Sequence, residues 1–265
     1  MLVGTTHPGN VGAAARAMRA MGLRRLVLAA PRDPGVCRHV EALARASRAD
    51  DVLAAARIEP DLRSALADST LVIAVSAEPR EFGPQPQLPQ RAAQLAHDEL
   101  VGGAGGRVSF VFGCERTGLS IEDVGLCQAL CSIPGEDDYA SLNLAQAVQV
   151  IAWCLRAHSM STPGGSVAGA APDALATTLR QPATHAEVEA MFVHLERALV
   201  RIGFLDPGHP KKLMPRLRRL FARTRLEVEE VAILRGICTQ IERQGECQGE
   251  RDGERDGERQ GGVSR

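Results

Sequence analysis

Three stretches of the chain place polar side chains where they could act on a bound molecule. Asn10 and Arg16 stand in "THPGNVGAAARAM", Glu115 and Arg116 in "VFGCERTGLS", and Ser141 and Asn143 in "IPGEDDYASLNLAQAVQV". Amides, carboxylates and hydroxyls orient a substrate, and a guanidinium holds an anion such as phosphate without giving up its proton. Each residue also has a plainer reading. Asn10, Ser141 and Asn143 suit helix N-caps. Glu115 and Arg116 suit a local ion pair, although a charged pair set between glycines at a strand end more often serves function. Arg16, among alanines, fits a solvated helix position as well as a site. A fourth stretch, "AVSAEPR", offers only small residues, Ser76 and Ala77, against which a ligand or an ordinary turn would fit.

The elements that must position these residues alternate along the first 155 or so positions. "MLVGTTHPGN" reads as a short strand into a turn, with Asn10 capping the Ala- and Met-rich helix that Gly22 stops. "LRRLVLAAP" is a second strand, followed by helical stretches over 40–56 and 61–67. "STLVIAVSA" is nearly continuous in its apolar residues, the mark of a strand buried on both faces. After the loop "EPREFGPQPQLP" come a helix, the strand "RVSFVFGCE", a last strand "ALCSIP" and the helix "SLNLAQAVQVIAWCLRAH". Strand and helix in alternation predict an α/β domain with a parallel sheet and helices on both faces, spanning 1–158. In such sheets ligands bind at the carboxyl ends of the strands, where all four stretches fall.

Composition then shifts. Residues 159–184 are Ser-, Gly-, Pro- and Ala-rich and read as a flexible linker. From His185 to residue 243 the pattern is purely helical, with Val188, Met191, Phe192, Leu195, Leu199 and Ile202 on one face of the first segment. The G-E-R-D repeat of 244–265 offers nothing to bury and is expected to be disordered.

Composition also excludes. Of 265 residues, 45% are hydrophobic but only 3% aromatic, so the core must rest on Ala, Val, Leu and Ile. The net charge of −1, from 31 basic and 32 acidic residues, provides no global field for nucleic acid. Any such signal must be local. The strongest is Lys211 to Arg225, where Lys211, Lys212, Arg216, Arg218, Arg219, Arg223 and Arg225 occur with no acidic residue among them; Arg19, Arg24 and Arg25 form a smaller group. Seven cysteines without a C-x-x-C pair, and no charged-then-apolar leader, point to reduced thiols and a cytoplasmic location. No apolar run is long enough to span a membrane. The run G-N-V-G superficially suggests a dinucleotide loop, but the chain has no G-x-G-x-x-G, which disfavours a nicotinamide oxidoreductase.

Taken together, "HPGNVGAAARAM", "VFGCERTGLS" and "IPGEDDYASLNLAQAVQVIAW" resemble, in order and spacing, the three signature motifs of the SPOUT superfamily, specifically TrmH/TrmJ-type RNA ribose 2′-O-methyltransferases. The segment "LERALVRIGFLDPGHPKKLMPRLRRLFARTRLEVEEVAILRGI" is similar to the helical extension of the TrmJ branch. The resemblance implies a deep trefoil knot at the C-terminal part of the α/β domain, a fold feature that general topology rules treat as an exception. It implies S-adenosylmethionine as cofactor, with Val75, Ser76 and Ala77 as one wall, Gly113 as a second, Ile133 as a third, and Ala140, Ser141 and Leu142 completing the pocket. No metal is implied. Arg16 matches the arginine assigned to activating the ribose hydroxyl, with Asn10, Glu115, Ser141 and Asn143 around it. The branch implies tRNA as partner, position 32 of the anticodon loop as target and a homodimer; helices 12–22 and 142–156 offer apolar surface that fits either such an interface or an intramolecular core. Next to such a domain, the basic cluster 211–225 is expected to hold RNA backbone. Another tRNA or ribosomal RNA position, or a non-catalytic RNA-binding module of the same fold, remain as alternatives. The chain begins only a few residues before the first motif, so its first strand is expected to be short or to continue upstream.

Overall fold

The computed structural model of the protein describes residues 1–77, 83–102, 105–136, 141–161 and 181–261, with side chains described up to residue 244. Its centre is strand β4, Leu71–Val75. The first four side chains of β4 are at most 1% exposed and alternate between two cores. Leu71 and Ile73 enter one cluster with Val11, Leu28 and Val148, whereas Val72 and Ala74 enter the other with Leu62, Val111 and Leu130. The period of two in a strand feeds both faces, which is why the sequence carries no polar alternation there. Truncating Ile73 to Ala would cost about 2–5 kcal/mol through lost burial and the cavity left behind.

Around β4 the chain lays down β1 (Leu2–Val3), β2 (Val27–Ala29), β3 (Arg57–Glu59), β5 (Pro86–Gln87), β6 (Val108–Phe112) and β7 (Ala129–Cys131). All described pairings are parallel, and the order is β3-β2-β1-β6-β4-β7-β5. The predicted α/β class holds, and β1 spans two residues. Two strands were not predicted. β3 is polar and lies at one edge, and β5, at the other, falls inside the stretch read as a loop. Both edges lack the two-sided burial that writes an apolar run, and Pro86 is tolerated because an edge strand needs fewer N–H donors.

The helices are α1 (Pro8–Ala20), α2 (Val40–Ala46), α3 (Asp50–Ala54), α4 (Leu62–Leu66), α5 (Pro89–Val101), α6 (Ile121–Gly125) and α7 (Leu144–Ser161). The stretch 40–56 is two helices rather than one, because Ser47 and Arg48 take positive φ values of 44° and 75°. Helix α1 begins earlier than expected: His7, not Asn10, is its cap, with the ring accepting from the Gly9 N–H at 3.2 Å. Pro8 at the first helical position was the overlooked signal.

Helices α8 (His185–Arg201), α9 (Leu213–Ala222) and α10 (Val228–Gly261) form the extension. Their core gathers Met191, Phe192 and Val231, with Phe221 edge-on to Phe192 at 5.9 Å and the Arg218 guanidinium 4.4 Å over the Phe192 ring. Ile202 caps α8 and is 49% exposed, outside the apolar face proposed for it. The linker limits also shift. α7 continues to Ser161, and residues 181–184 are already structured: Pro182 bridges Glu227, and Thr184 builds a capping box with Glu187. The tail expected to be disordered is helical to Gly261. Opposite charges recurring three residues apart support a helix without an apolar face, which a search for buried residues overlooks.

The extension docks on the sheet domain through polar contacts. The first N–H groups of α8, from His185 and Ala186, donate to the Ser69 and Ala67 carbonyls at 2.7 and 3.1 Å. Glu189 bonds both Arg63, from α4, and Arg218, from α9, while Arg225 reaches Glu99 of α5 at 2.5 Å.

Candidate active site

Strand register builds the site. Val75 pairs with Phe112 on one side and with Cys131 on the other. The next residues along these strands, Ser76, Gly113 and Ser132, therefore leave the sheet side by side, one strand spacing of about 4.8 Å apart. Ser76 N–H donates to the Cys131 carbonyl at 3.0 Å, and the Ser132 hydroxyl to the Ala77 carbonyl at 3.4 Å. Ile133 packs against the cluster that holds Leu144 and Val148. Gly113 has no room for a side chain, since a Cβ there would come within 2.1 Å of the Gly118 carbonyl carbon. The turn that crowds it closes through Gly118 N–H on the Cys114 carbonyl at 2.9 Å, with Gly118 at φ +65°.

That turn holds Glu115 over the start of α1. One carboxylate oxygen accepts from the Thr6 N–H (3.2 Å) and hydroxyl (3.0 Å), and the other from the His7 N–H (3.3 Å) and Asn10 Nδ2 (3.1 Å). Asn10 Oδ1 then accepts from Asn143 Nδ2 at 3.0 Å. Asn143 in turn caps α7, taking the Ala145 N–H at 2.9 Å, while its own N–H donates to Gln146 at 3.2 Å. One network thus joins the three motifs. Desolvation pushes Glu115 up, but hydrogen bonds from its own backbone, from Asn10 and from Thr6 outweigh it and hold the carboxyl below its ordinary value. Glu115 is therefore a fixed anion that orients donors at the helix N-terminus, where the helix dipole also favours negative charge.

The other expected residues lie around this network rather than in it. Ser141 and Leu142 are exposed just ahead of the Asn143 cap, Leu142 at 42%, so Asn143 alone takes the capping role. Ala140 lies outside the described residues. Arg16 is exposed between the buried Ala15 and Ala17, about 9 Å along the helix axis from Asn10 and about 120° round it. Among the described residues, neither Asn10, Glu115 nor Ser141 bonds to it. The expected orientation of Arg16 by those side chains is absent in this form of the protein. Sequence reasoning missed Thr6 and His7, which act mainly through backbone N–H groups that no side-chain pattern reveals.

Residues 1–153 match the SpoU rRNA Methylase family, and residues 186–251 match the family described as tRNA methyltransferase TrmJ, C-terminal domain. The chain belongs to the SpoU methylase family. It is 41% identical over 244 residues to the Pseudomonas aeruginosa tRNA (cytidine/uridine/adenosine-2′-O-)-methyltransferase TrmJ, covering 92% of this chain and 93% of that protein. It is 38% identical over 255 residues to the Klebsiella pneumoniae tRNA (cytidine/uridine-2′-O-)-methyltransferase TrmJ, covering 93% and 96%. The crystal structure of TrmJ from Z. mobilis matches with a TM-score of 0.75 at 33% identity, over 91% of this chain and 97% of that one.

A SpoU methylase with a TrmJ-type extension needs a basic face, and the structure divides the 211–225 cluster. Arg218 and Arg225 are half-buried and ion-paired with Glu189 and Glu99. Lys211, Lys212, Arg216 and Arg223 are exposed, and Arg219 is partly so. In the second group, Arg19 and Arg24 share the one carboxylate of Asp51 at 3.0 and 2.6 Å, so the group stays net positive.

Proposed function

We propose that this SpoU methylase transfers a methyl group from S-adenosylmethionine to the ribose 2′-hydroxyl at position 32 of the tRNA anticodon loop, acting as a homodimer. Membership in the family and close likeness to two tRNA 2′-O-methyltransferases along nearly the whole chain support methyl transfer to tRNA. The observation that carries the site is the Asn143–Asn10–Glu115 chain of hydrogen bonds beside three adjacent strand exits.

The strand exits fit the cofactor's adenosine. Ser76, Ala77 and Gly113 present backbone with little side-chain bulk, and Ile133 and Leu142 add apolar surface beneath an exposed rim. Residues 140–142 would close the pocket, in the segment where the family's trefoil knot is expected. S-adenosylmethionine supplies a methyl group on a sulfonium, ready for in-line displacement. The chain's own work is placement, which supplies much of the acceleration when the ribose oxygen is held about 3 Å from its target. Arg16, exposed on α1, is suited to the phosphate next to the ribose. Its charge would stabilise the developing 2′-oxyanion, and the proton would leave to solvent or a phosphate oxygen. Lys211, Lys212, Arg216, Arg219 and Arg223 would hold tRNA backbone. Trp153 and Met160, 56% and 71% exposed and seven residues apart on α7, supply one apolar stripe for a second copy.

Nucleoside mass spectrometry of tRNA incubated with the enzyme and labelled S-adenosylmethionine, mapped by nuclease fragments, tests the reading. One 2′-O-methyl label at position 32 is expected. Label elsewhere would assign the enzyme to another position, and no cofactor binding in calorimetry would leave a non-catalytic RNA-binding module.

A further inference from the structure

A cleft of about 1000 Å³ separates the sheet domain from α9. It starts at the amino ends of β4 and β7, where Leu71 and Ala129 line it, and extends to Gln87 of edge strand β5. The strand exits of the active site lie at the carboxyl ends of β4 and β7; the cleft opens at their amino ends and runs along the sheet edge as far as Gln87, which pairs with Cys131 next to the Ser132 exit. Its size is that of sites that enclose small organic ligands.

The chemistry of its walls is divided. Ile121, Leu126 and Met214 give an apolar floor, with Ile121 64% exposed. Above it stand six cationic side chains against one carboxylate, Glu122. Arg63, Arg218 and Arg225 are engaged with Glu189 and Glu99. Arg219 and Arg223, four residues apart on the last turn of α9, have no carboxylate partner among the described residues. At the inner end, a recess of about 40 Å³ shares Arg218, Ala222 and Arg225 with the cleft and is lined by His185. His185 is 3% exposed, and among the described residues neither of its ring nitrogens nor Gln87 Oε1 in the cleft wall has a hydrogen-bond partner. Buried polar atoms of this kind are normally hydrogen-bonded, so these atoms are available to water or to a ligand that donates and accepts hydrogen bonds.

We propose that this cleft binds one unpaired nucleotide of the tRNA, outside the residue that is methylated. The base would lie on the Ile121–Met214 floor, with its polar edge facing Gln87, and its phosphate would sit between Arg219 and Arg223. Water filling the recess would link the bound base to His185. A flat apolar ring carrying hydrogen-bonding edges and an adjacent anion is the ligand that matches floor, Gln87 and cationic rim together; a phosphate alone would leave the first two unused. The proposal rests on tRNA being the substrate and adds a second contact to it.

Photocrosslinking the full-length enzyme to tRNA transcribed with 4-thiouridine, with peptide mapping by mass spectrometry, tests this directly. Crosslinks within 121–128 or 212–223 are expected in addition to those at the strand exits. Ile121→Glu, an exposed substitution, should weaken tRNA binding roughly tenfold, the order of losing one aliphatic side chain's burial against the base. Arg219→Gln with Arg223→Gln should reduce the slope of log affinity against log salt by about two. S-adenosylmethionine affinity should stay unchanged in both variants, and its loss in the parent protein would indict the active-site reading instead. The proposal is overturned if no crosslink falls in the cleft and Ile121→Glu binds tRNA like the parent, even where the arginine variant binds more weakly, since that pattern describes phosphate tethering only.

Discussion

Asn143 donates to Asn10 across 133 residues of chain, at 3.0 Å. A carboxylate only accepts, so Glu115 fixes which end of the Asn10 amide faces it and leaves the Asn10 oxygen for Asn143. The residue that caps α7 and the residue in the first turn of α1 therefore share one oriented amide. Replacing Asn10 with Asp removes the donor and sets a second carboxylate against Glu115. Asn10→Asp should lose roughly 1–3 kcal/mol, more than Asn10→Ala, and thermal melts of the two variants measure the order.

The same network gives the protein an acid-sensitive contact. Because Glu115 sits below its ordinary value of 4.5 in the folded chain, its contribution is complete above that value and is lost as pH falls through the lower folded value. Glu115→Gln should be less stable at neutral pH and show a shallower loss of melting temperature on acidification through the carboxylate range. Parallel curves for parent and variant would count against the network.

These two residues also show how much the sequence revealed. Asn10, Glu115 and Asn143 were legible as site candidates because polar residues at the ends of apolar runs stand out, and the fold class followed from the buried run of β4. Their linkage was not legible. Asn10 read as a cap only while Pro8 was overlooked, and Thr6 and His7 contribute backbone groups. Strands β3 and β5 escaped because edge strands need no apolar pattern. Arg218 and Arg225 looked identical to their basic neighbours until Glu189 and Glu99, distant in sequence, claimed them.

Glu189 is the hinge pin of the extension. Desolvation pushes its carboxyl up, but the Arg218 hydrogen bond and charge, with His185 and Arg63, outweigh it and hold it low. Glu189→Ala leaves two guanidiniums facing one another across the docking surface. The variant should lose several kcal/mol, about 3–5 where such a pair is fully buried and less here. Hydrogen exchange of the α8 amides of His185 and Ala186, which donate to Ser69 and Ala67, should also accelerate relative to the parent. Unchanged exchange would place the docking strength elsewhere.

Trp153 is the chain's single tryptophan and is 56% exposed on α7. If this face carries the dimer, dilution should red-shift its emission as the subunits part, and Trp153→Arg should sediment as a monomer. A dimer that persists in Trp153→Arg would move the interface to another face.

The central claim is that α1 brings Arg16 to the ribose phosphate while the strand exits hold the methyl donor. Single-turnover methyl transfer to tRNA by Arg16→Ala, with both ligands saturating, tests it most directly. The account predicts a fall of roughly 100-fold in the transfer rate, the scale of losing one charge-stabilising group, with S-adenosylmethionine affinity unchanged. A parental rate in Arg16→Ala would contradict it.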